Sequence, residues 1–163
     1  MTNLLTEFTQ EEDTQKGKFL TFSLGKEDYG IEISNVKEII GIQNITQVPE
    51  LPPYVKGIIN LRGKIIPVMD VRIRFKKEER DYNDRTCIIV IEIKEISVGL
   101  IVDTVTEVLA ISEENIVPPP QMNKGSQSKY IKAIGKAAGG VKLILDCDRL
   151  LGEDELEELS EIA

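Results

Sequence analysis

Histidine is absent from all 163 residues, so the side chains left for chemistry are 28 carboxylates, two thiols and 20 lysines and arginines. Without an imidazole there is no Ser/His or Cys/His nucleophilic pair, and the commonest zinc ligand and general base is missing. Carboxylate-pair catalysis needs two carboxyl groups facing one pocket, whereas the acidic residues here concentrate in the two ends and at turn-like segments. Asp70 and Asp146 fall at equivalent places of a repeat described below, which favours bonding of backbone amides at a strand end over catalysis. Cys87 and Cys147 sit in apolar runs, 86–93 and 141–147, without a C-x-x-C partner, and read as packed thiols. The run from Gly135 to Lys142 contains G-x-x-x-x-G, but Val141 follows where a phosphate loop needs lysine and then Ser or Thr. No catalytic residue, metal ligand, cofactor or small-molecule ligand is therefore expected.

One charged constellation remains, Glu38 with Arg62. Glu107 repeats Glu38 in the second half of the chain, while Ala138 stands where Arg62 does, so only one half holds both charges. A duplicated scaffold that keeps a charge in one copy fits a one-sided binding surface. A solvated turn arginine and a carboxylate at a helix end fit the same residues, and at this level both readings stand. The formal net charge of -8 lacks the concentrated basic surface that nucleic acid or an anionic bilayer requires. No apolar run approaches a membrane span, and residues 1–18 are polar and acidic instead of basic and then apolar. The expectation is a cytoplasmic chain without membrane insertion, whose partners are proteins of neutral or mixed charge.

The elements that position these residues come in two copies. Residues 29–40 align with 98–109 at an offset of 69, bringing Gly30 over Gly99, Val36 over Val105 and Glu38 over Glu107. The same register runs back to 19–24 over 88–93 and forward to Val48-Pro49 over Val117-Pro118. Beyond the prolines Tyr54 lies over Tyr130 and Asp70 over Asp146 at an offset of 76, so the second copy holds seven extra residues. The stretch 121–128, rich in Gln, Asn, Lys, Gly and Ser, is where an insertion is expected.

Runs rich in Ile and Val at 19–24, 65–75, 88–93 and 141–145 have the length and composition of strands. Val71, Ile73 and Phe75 alternate with Arg72 and Arg74, which predicts a strand with one wet face. Ser34 and Asp103, both good N-caps, precede Val36, Ile39, Ile40 and Val105, Val108, Leu109, whose i, i+3, i+4 spacing predicts one helical turn per copy. Gly63 and Gly139 mark tight turns before the last strand of each copy and place Arg62 in solvent. Leu156, Leu159 and Ile162 recur at helical spacing among glutamates and predict a short helix lying on the protein. With about 70 residues per copy, the pattern is all-β: two small barrels, closed because closure removes exposed edges, packed on each other.

At these residues the chain resembles the bacterial chemotaxis coupling protein family, CheW, whose fold also serves as the regulatory domain of the histidine kinase CheA. The carrying segments are Tyr29-Gly30-Ile31, Val36-Lys37-Glu38-Ile39-Ile40, residues 55–63 reading V-K-G-I-I-N-L-R-G, Ile66-Pro67-Val68-Met69-Asp70, and residues 98–103 reading V-G-L-I-V-D. N-L-R-G followed by I-P-V-x-D is specific to this family, and the similarity spans about residues 18 to 152. The resemblance implies two SH3-like five-stranded barrels with short helical turns and a short C-terminal helix. It divides the chain into a tail at 1–17, two intertwined lobes within 18–152 (first copy about 19–75, second about 86–151) and an acidic helix at 153–163.

The resemblance further implies a protein without enzymatic activity, an adaptor that couples methyl-accepting chemotaxis receptors to CheA through that kinase's regulatory domain. It would be recruited from the cytoplasm to membrane-anchored receptor arrays. The receptor-contacting positions carried over are Val36, Glu38, Gly57, Arg62 and Gly99, in a groove between the lobes. A kinase or array contact falls on 117–122, where Val117 and Met122 replace the arginine and phenylalanine frequent in the family. A regulatory fragment of a kinase is the second reading. A two-copy unit that fills nearly the whole chain from Met1, with no ATP-binding segment, argues for the adaptor.

Overall fold

The computed structural model describes residues 16–119 and 128–162. Met122, residues 121–127 of the expected insertion at 121–128 and all but the end of the expected tail lie outside the described residues. In chain order the elements are β1 (Lys18–Leu24), β2 (Glu27–Glu32), β3 (Val36–Gly41), β4 (Val55–Leu61), β5 (Lys64–Asp70) and α1 (Val71–Arg74). A second series follows: β6 (Cys87–Ile93), β7 (Ile96–Val102), β8 (Thr104–Ala110), β9 (Ile116–Val117), β10 (Ile131–Ala137), β11 (Gly140–Leu145) and α2 (Glu153–Ile162).

The repeat is visible as strand equivalences, but the sheets do not coincide with the copies. One sheet has the order β8-β1-β2-β11-β10-β9 and the other β3-β6-β7-β5-β4. Each copy thus contributes its first hairpin to the sheet built by the rest of its twin. The two parallel joints that result are equivalent: Val68 pairs with Gly99 where β5 meets β7, and Ile144 pairs with Gly30 where β11 meets β2.

Both sheets curl. Thr46 bridges Ile58 on the outer side of β4, at the opposite end of the strand order from β3, only five residues after Gly41. Five residues reach at most about 18 Å, whereas five strand spacings across a flat sheet need about 24 Å. The sheet must therefore bend round until its ends approach, which makes the lobe barrel-like although its first and last strands share no ladder. The same happens between β8 and β9, which sit at opposite ends of their sheet and are joined by a short link.

Curled sheets that pack on each other bury both faces of a strand, which explains the unbroken apolar runs. In β6, Ile88 and Val90 fill the inside of their lobe while Ile89, Ile91 and Ile93 join the core between the lobes. That inter-lobe core also takes Leu20, Phe22 and Leu24 of β1 and Val98, Leu100 and Val102 of β7. The other lobe has a smaller interior of Phe19, Ile111 and Ile144. Phe22, Tyr29, Phe75 and Tyr130 form an aromatic row through the shared core, with centroid spacings of 5.5, 5.5 and 5.2 Å.

Three expectations are corrected. Residues 36–41 and 104–110 are strands instead of helical turns; only Ile33–Asn35 makes a 3-10 turn before β3, and no side chain caps it. The expected strand at 65–75 stops at Asp70, whose Oδ1 accepts from the Ile73 amide at 3.3 Å and starts α1. Val71 at the start of that helix and Phe75 at its C-cap, four residues apart, are buried, and Arg72 is itself only 8% exposed, so no wet strand face exists there. Asp146, the equivalent of Asp70, accepts from the Asp148 amide at 3.1 Å. Cys147 is buried in a 3-10 turn just beyond β11, and Cys87 is half-buried at the start of β6.

Candidate docking face

Arg62 occupies the first position of the two-residue turn between β4 and β5 with φ 52°, and Gly63 follows with φ 84°. Two successive positive φ values give the turn whose twist matches a hairpin, and Gly63 N–H donates to Asn60 Oδ1 at 2.8 Å. The left-handed backbone costs any residue with a Cβ, and the side chain it carries reaches across the mouth of the lobe. Arg62 Nη1 donates to Glu38 Oε2 at 2.8 Å and Nη2 donates to Glu38 Oε1, a bidentate fork. Hydrogen bonds from Arg62 hold the Glu38 carboxyl below its usual range, against the opposing effect of partial burial. With Arg62 71% exposed, the pair adds little to stability. It is a fixed, outward-facing donor and acceptor set, on strands from the two ends of the sheet order.

Lys37 is the extra residue of a β-bulge: Val36 pairs with Ile91 and Glu38 with Val90, leaving Lys37 unmatched. Bulges re-aim side chains, and here Lys37 Nζ donates to Ser97 Oγ at 3.0 Å and lies 3.5 Å from Glu92 Oε1. Lys64, two residues beyond Arg62, donates to the same Ser97 Oγ at 3.4 Å. The sequence reading missed Lys37, Lys64, Glu92 and Ser97. Lys37 next to Glu38, and Lys64 two residues from Arg62, were the available signal.

The other expected receptor positions lie behind this rim. Gly99 is two residues from Ser97 on the same strand and is buried; a Cβ there would stand 2.7 Å from Ile88 Cγ2 and 2.8 Å from Val68 Cγ1. Gly57 has φ 149°, and a Cβ on it would meet the Thr46 carbonyl oxygen at 2.1 Å. Its absence lets Thr46 and Ile58 exchange two backbone hydrogen bonds of 2.9 Å. Val36 is 8% exposed and belongs to the inter-lobe core. Of the five positions, Glu38 and Arg62 offer side chains outward, while Val36, Gly57 and Gly99 shape the wall that carries them. Val117 is half-buried on β9 opposite Ile134.

A second charged group staples the crossover between the copies. Arg72 binds Asp103 through Nε at 2.7 Å and Nη2 at 2.6 Å, and Arg80 reaches Asp103 Oδ2 at 3.0 Å. The Gly25 amide donates to the same oxygen at 2.8 Å, and Tyr82 OH donates to Asp70 Oδ2 at 2.7 Å. Burial raises the Asp103 pKa, but the bonds from Arg72 and Gly25 and the two arginine charges outweigh it and leave the carboxyl below its usual range. Asp103, expected as a helix cap, is instead this cross-link. Its acceptors are saturated by structural donors.

A double barrel whose outward chemistry is charge pairs fixed on strand ends defines a binding module of SH3-like lobes. The CheW-like domain model matches residues 18–155. The chain is 33% identical over 151 residues to Chemotaxis protein CheW of Klebsiella aerogenes, covering 93% of this chain and 91% of that protein. It is 34% identical over 137 residues to Chemotaxis protein CheW of Bacillus subtilis, covering 84% and 88% respectively. The crystal structure of the scaffolding protein TtCheW from Thermoanaerobacter tengcongensis matches with a TM-score of 0.79 at 38% identity, covering 85% of this chain and 94% of that one. The chain belongs to the CheW-like family of chemotaxis scaffold proteins.

Proposed function

We propose that this chain is a non-catalytic chemotaxis adaptor that binds methyl-accepting receptors and the histidine kinase CheA and so couples one to the other. The observation that carries the receptor half is the Glu38–Arg62 pair: bidentate, largely solvent-facing, and present in one copy only. A receptor's cytoplasmic hairpin is a bundle of helices. Half-buried Ile40 and Leu61, which flank the pair in sequence and pack on the lobe interior, offer apolar contact to a helix face, while the charges fix its register. Val117, with the segment that leads to Met122, is assigned to the kinase or array contact. Among the described residues no helix is long and apolar enough to cross a membrane, and recruitment to membrane-anchored arrays would come from the receptor contact.

The test is a binding series with a receptor cytoplasmic hairpin fragment. Replacing Arg62 by Ala should weaken binding about tenfold, the size of a moderate hot spot, with folding unchanged. Equal affinity of the variant and the unaltered chain would remove Arg62 from the interface.

A further inference from the structure

The rim beside the Glu38–Arg62 pair holds a cationic cluster of two lysines that only one carboxylate, Glu92, faces. Lys37 and Lys64 both donate to Ser97 Oγ, at 3.0 and 3.4 Å, and Ser97 is itself 8% exposed. One neutral oxygen therefore holds two ammonium groups close together, and like charges so placed repel. Glu92, at 3.5 Å from Lys37 and 54% exposed, offers partial compensation. Since Arg62 and Glu38 neutralise one another, the rim keeps two lysines against one glutamate on a chain whose net charge is -8. The bulge at Lys37 and the tight turn before Lys64 fix both stems on strand ends.

We infer that Lys37, Lys64 and Ser97 form the seat for a carboxylate side chain, Asp or Glu, of the docked helical partner. A carboxylate has two oxygens, one for each ammonium group, and bonds in which both donor and acceptor are charged are stronger than the ammonium–hydroxyl bonds they replace. The Ser97 hydroxyl accepts from both lysines through its lone pairs, so its proton can be donated to the same carboxylate. The partner then reads two features side by side: a neutral, orienting Arg62–Glu38 fork and a cationic seat that demands an acidic residue at a fixed distance from it. The inference rests on the proposed receptor docking and names its chemistry.

The experiment measures affinity of the full chain for a receptor cytoplasmic hairpin fragment, with Lys37→Glu/Lys64→Glu, Lys37→Gln/Lys64→Gln and Arg62→Gly in parallel, at low and high salt. Both lysines are exposed, so melting temperatures should match the unaltered chain. The charge-reversed pair should lose about tenfold or more in affinity, and changing one acidic residue of the fragment to Lys should restore it. The Gln pair should flatten the salt dependence, which keeps the question open to test if the reversed pair fails to fold. Unchanged affinity and salt dependence in the Lys variants, alongside a weakened Arg62→Gly, would overturn the seat and leave the receptor docking standing. A folded, unaltered chain that does not bind the fragment would overturn both.

Discussion

At the scale of a single residue, Arg62 is where the proposed receptor binding and folding can be told apart. Its φ of 52° is one that glycine adopts without penalty, and its guanidinium is exposed. Arg62→Gly is expected to leave the melting temperature equal or higher while weakening receptor binding about tenfold; thermal unfolding and a binding isotherm on one sample check both. Asp103 is the opposite case, since it binds Arg72 where both side chains are largely buried, 10% and 14% exposed. Asp103→Asn should cost about 3 kcal/mol in denaturant unfolding, because Arg72 loses its counter-charge. Acid should act through the same carboxyl and through Glu155, both held below their usual values of 3.8 and 4.5. A depressed folded pKa contributes stability that is complete above the usual value and is lost as pH falls through the depressed one. Melting temperature should therefore drop on acidification below about pH 4.5, with no histidine to add a slope near neutrality. The drop should be shallower in Asp103→Asn.

At the level of elements, α2 is held by a clasp. Arg74 Nη2 donates to Glu155 Oε1 at 3.0 Å, Arg74 Nε donates to the Leu150 carbonyl at 2.8 Å, and its guanidinium lies 4.1 Å from the Tyr54 ring centre. Tyr54 OH donates to the same Glu155 carboxylate. Leu156 and Leu159 enter the inter-lobe core, so Leu159→Ala should cost about 2–4 kcal/mol, read from denaturant midpoints. This helix was legible because its apolar residues fall on one face. The turns expected after Ser34 and Asp103 were misread for a specific reason: each strand carries a bulge, at Lys37 in β3 and at the equivalent Thr106 in β8. An extra residue shifts a strand's alternation by one, and Val36, Ile39, Ile40 then imitate helical spacing. Likewise Val71 and Phe75 suit either a strand face or a helix face, and the Asp70 cap decides between them.

On the scale of the whole molecule, the duplication produces two lobes only through exchange of the hairpins β1-β2 and β6-β7. Offsets of 69 and 76 revealed the copies, but pairing partners are a long-range property, so the sequence pattern alone showed two units without showing that each is built from both. Residues 1–80 expressed alone should therefore show no cooperative unfolding, because they lack the β6-β7 hairpin that sits between β3 and β5. Gly99 belongs to this scale as well: Gly99→Ala should overpack Ile88 and Val68 and cost about 1–3 kcal/mol of stability. Its effect on receptor binding should follow the unfolded fraction, unlike that of Arg62. Of the candidate docking face, Glu38 and Arg62 were legible as a pair kept in one copy, whereas the Lys37–Ser97–Lys64 cluster depends on how β3, β5 and β7 come together. The most direct test of the adaptor account is size-exclusion chromatography of this chain mixed with a CheA regulatory domain and a receptor cytoplasmic hairpin fragment. The account predicts one peak containing all three, from which Arg62→Gly releases the receptor fragment and keeps the kinase domain. Elution of this chain apart from both partners would contradict it.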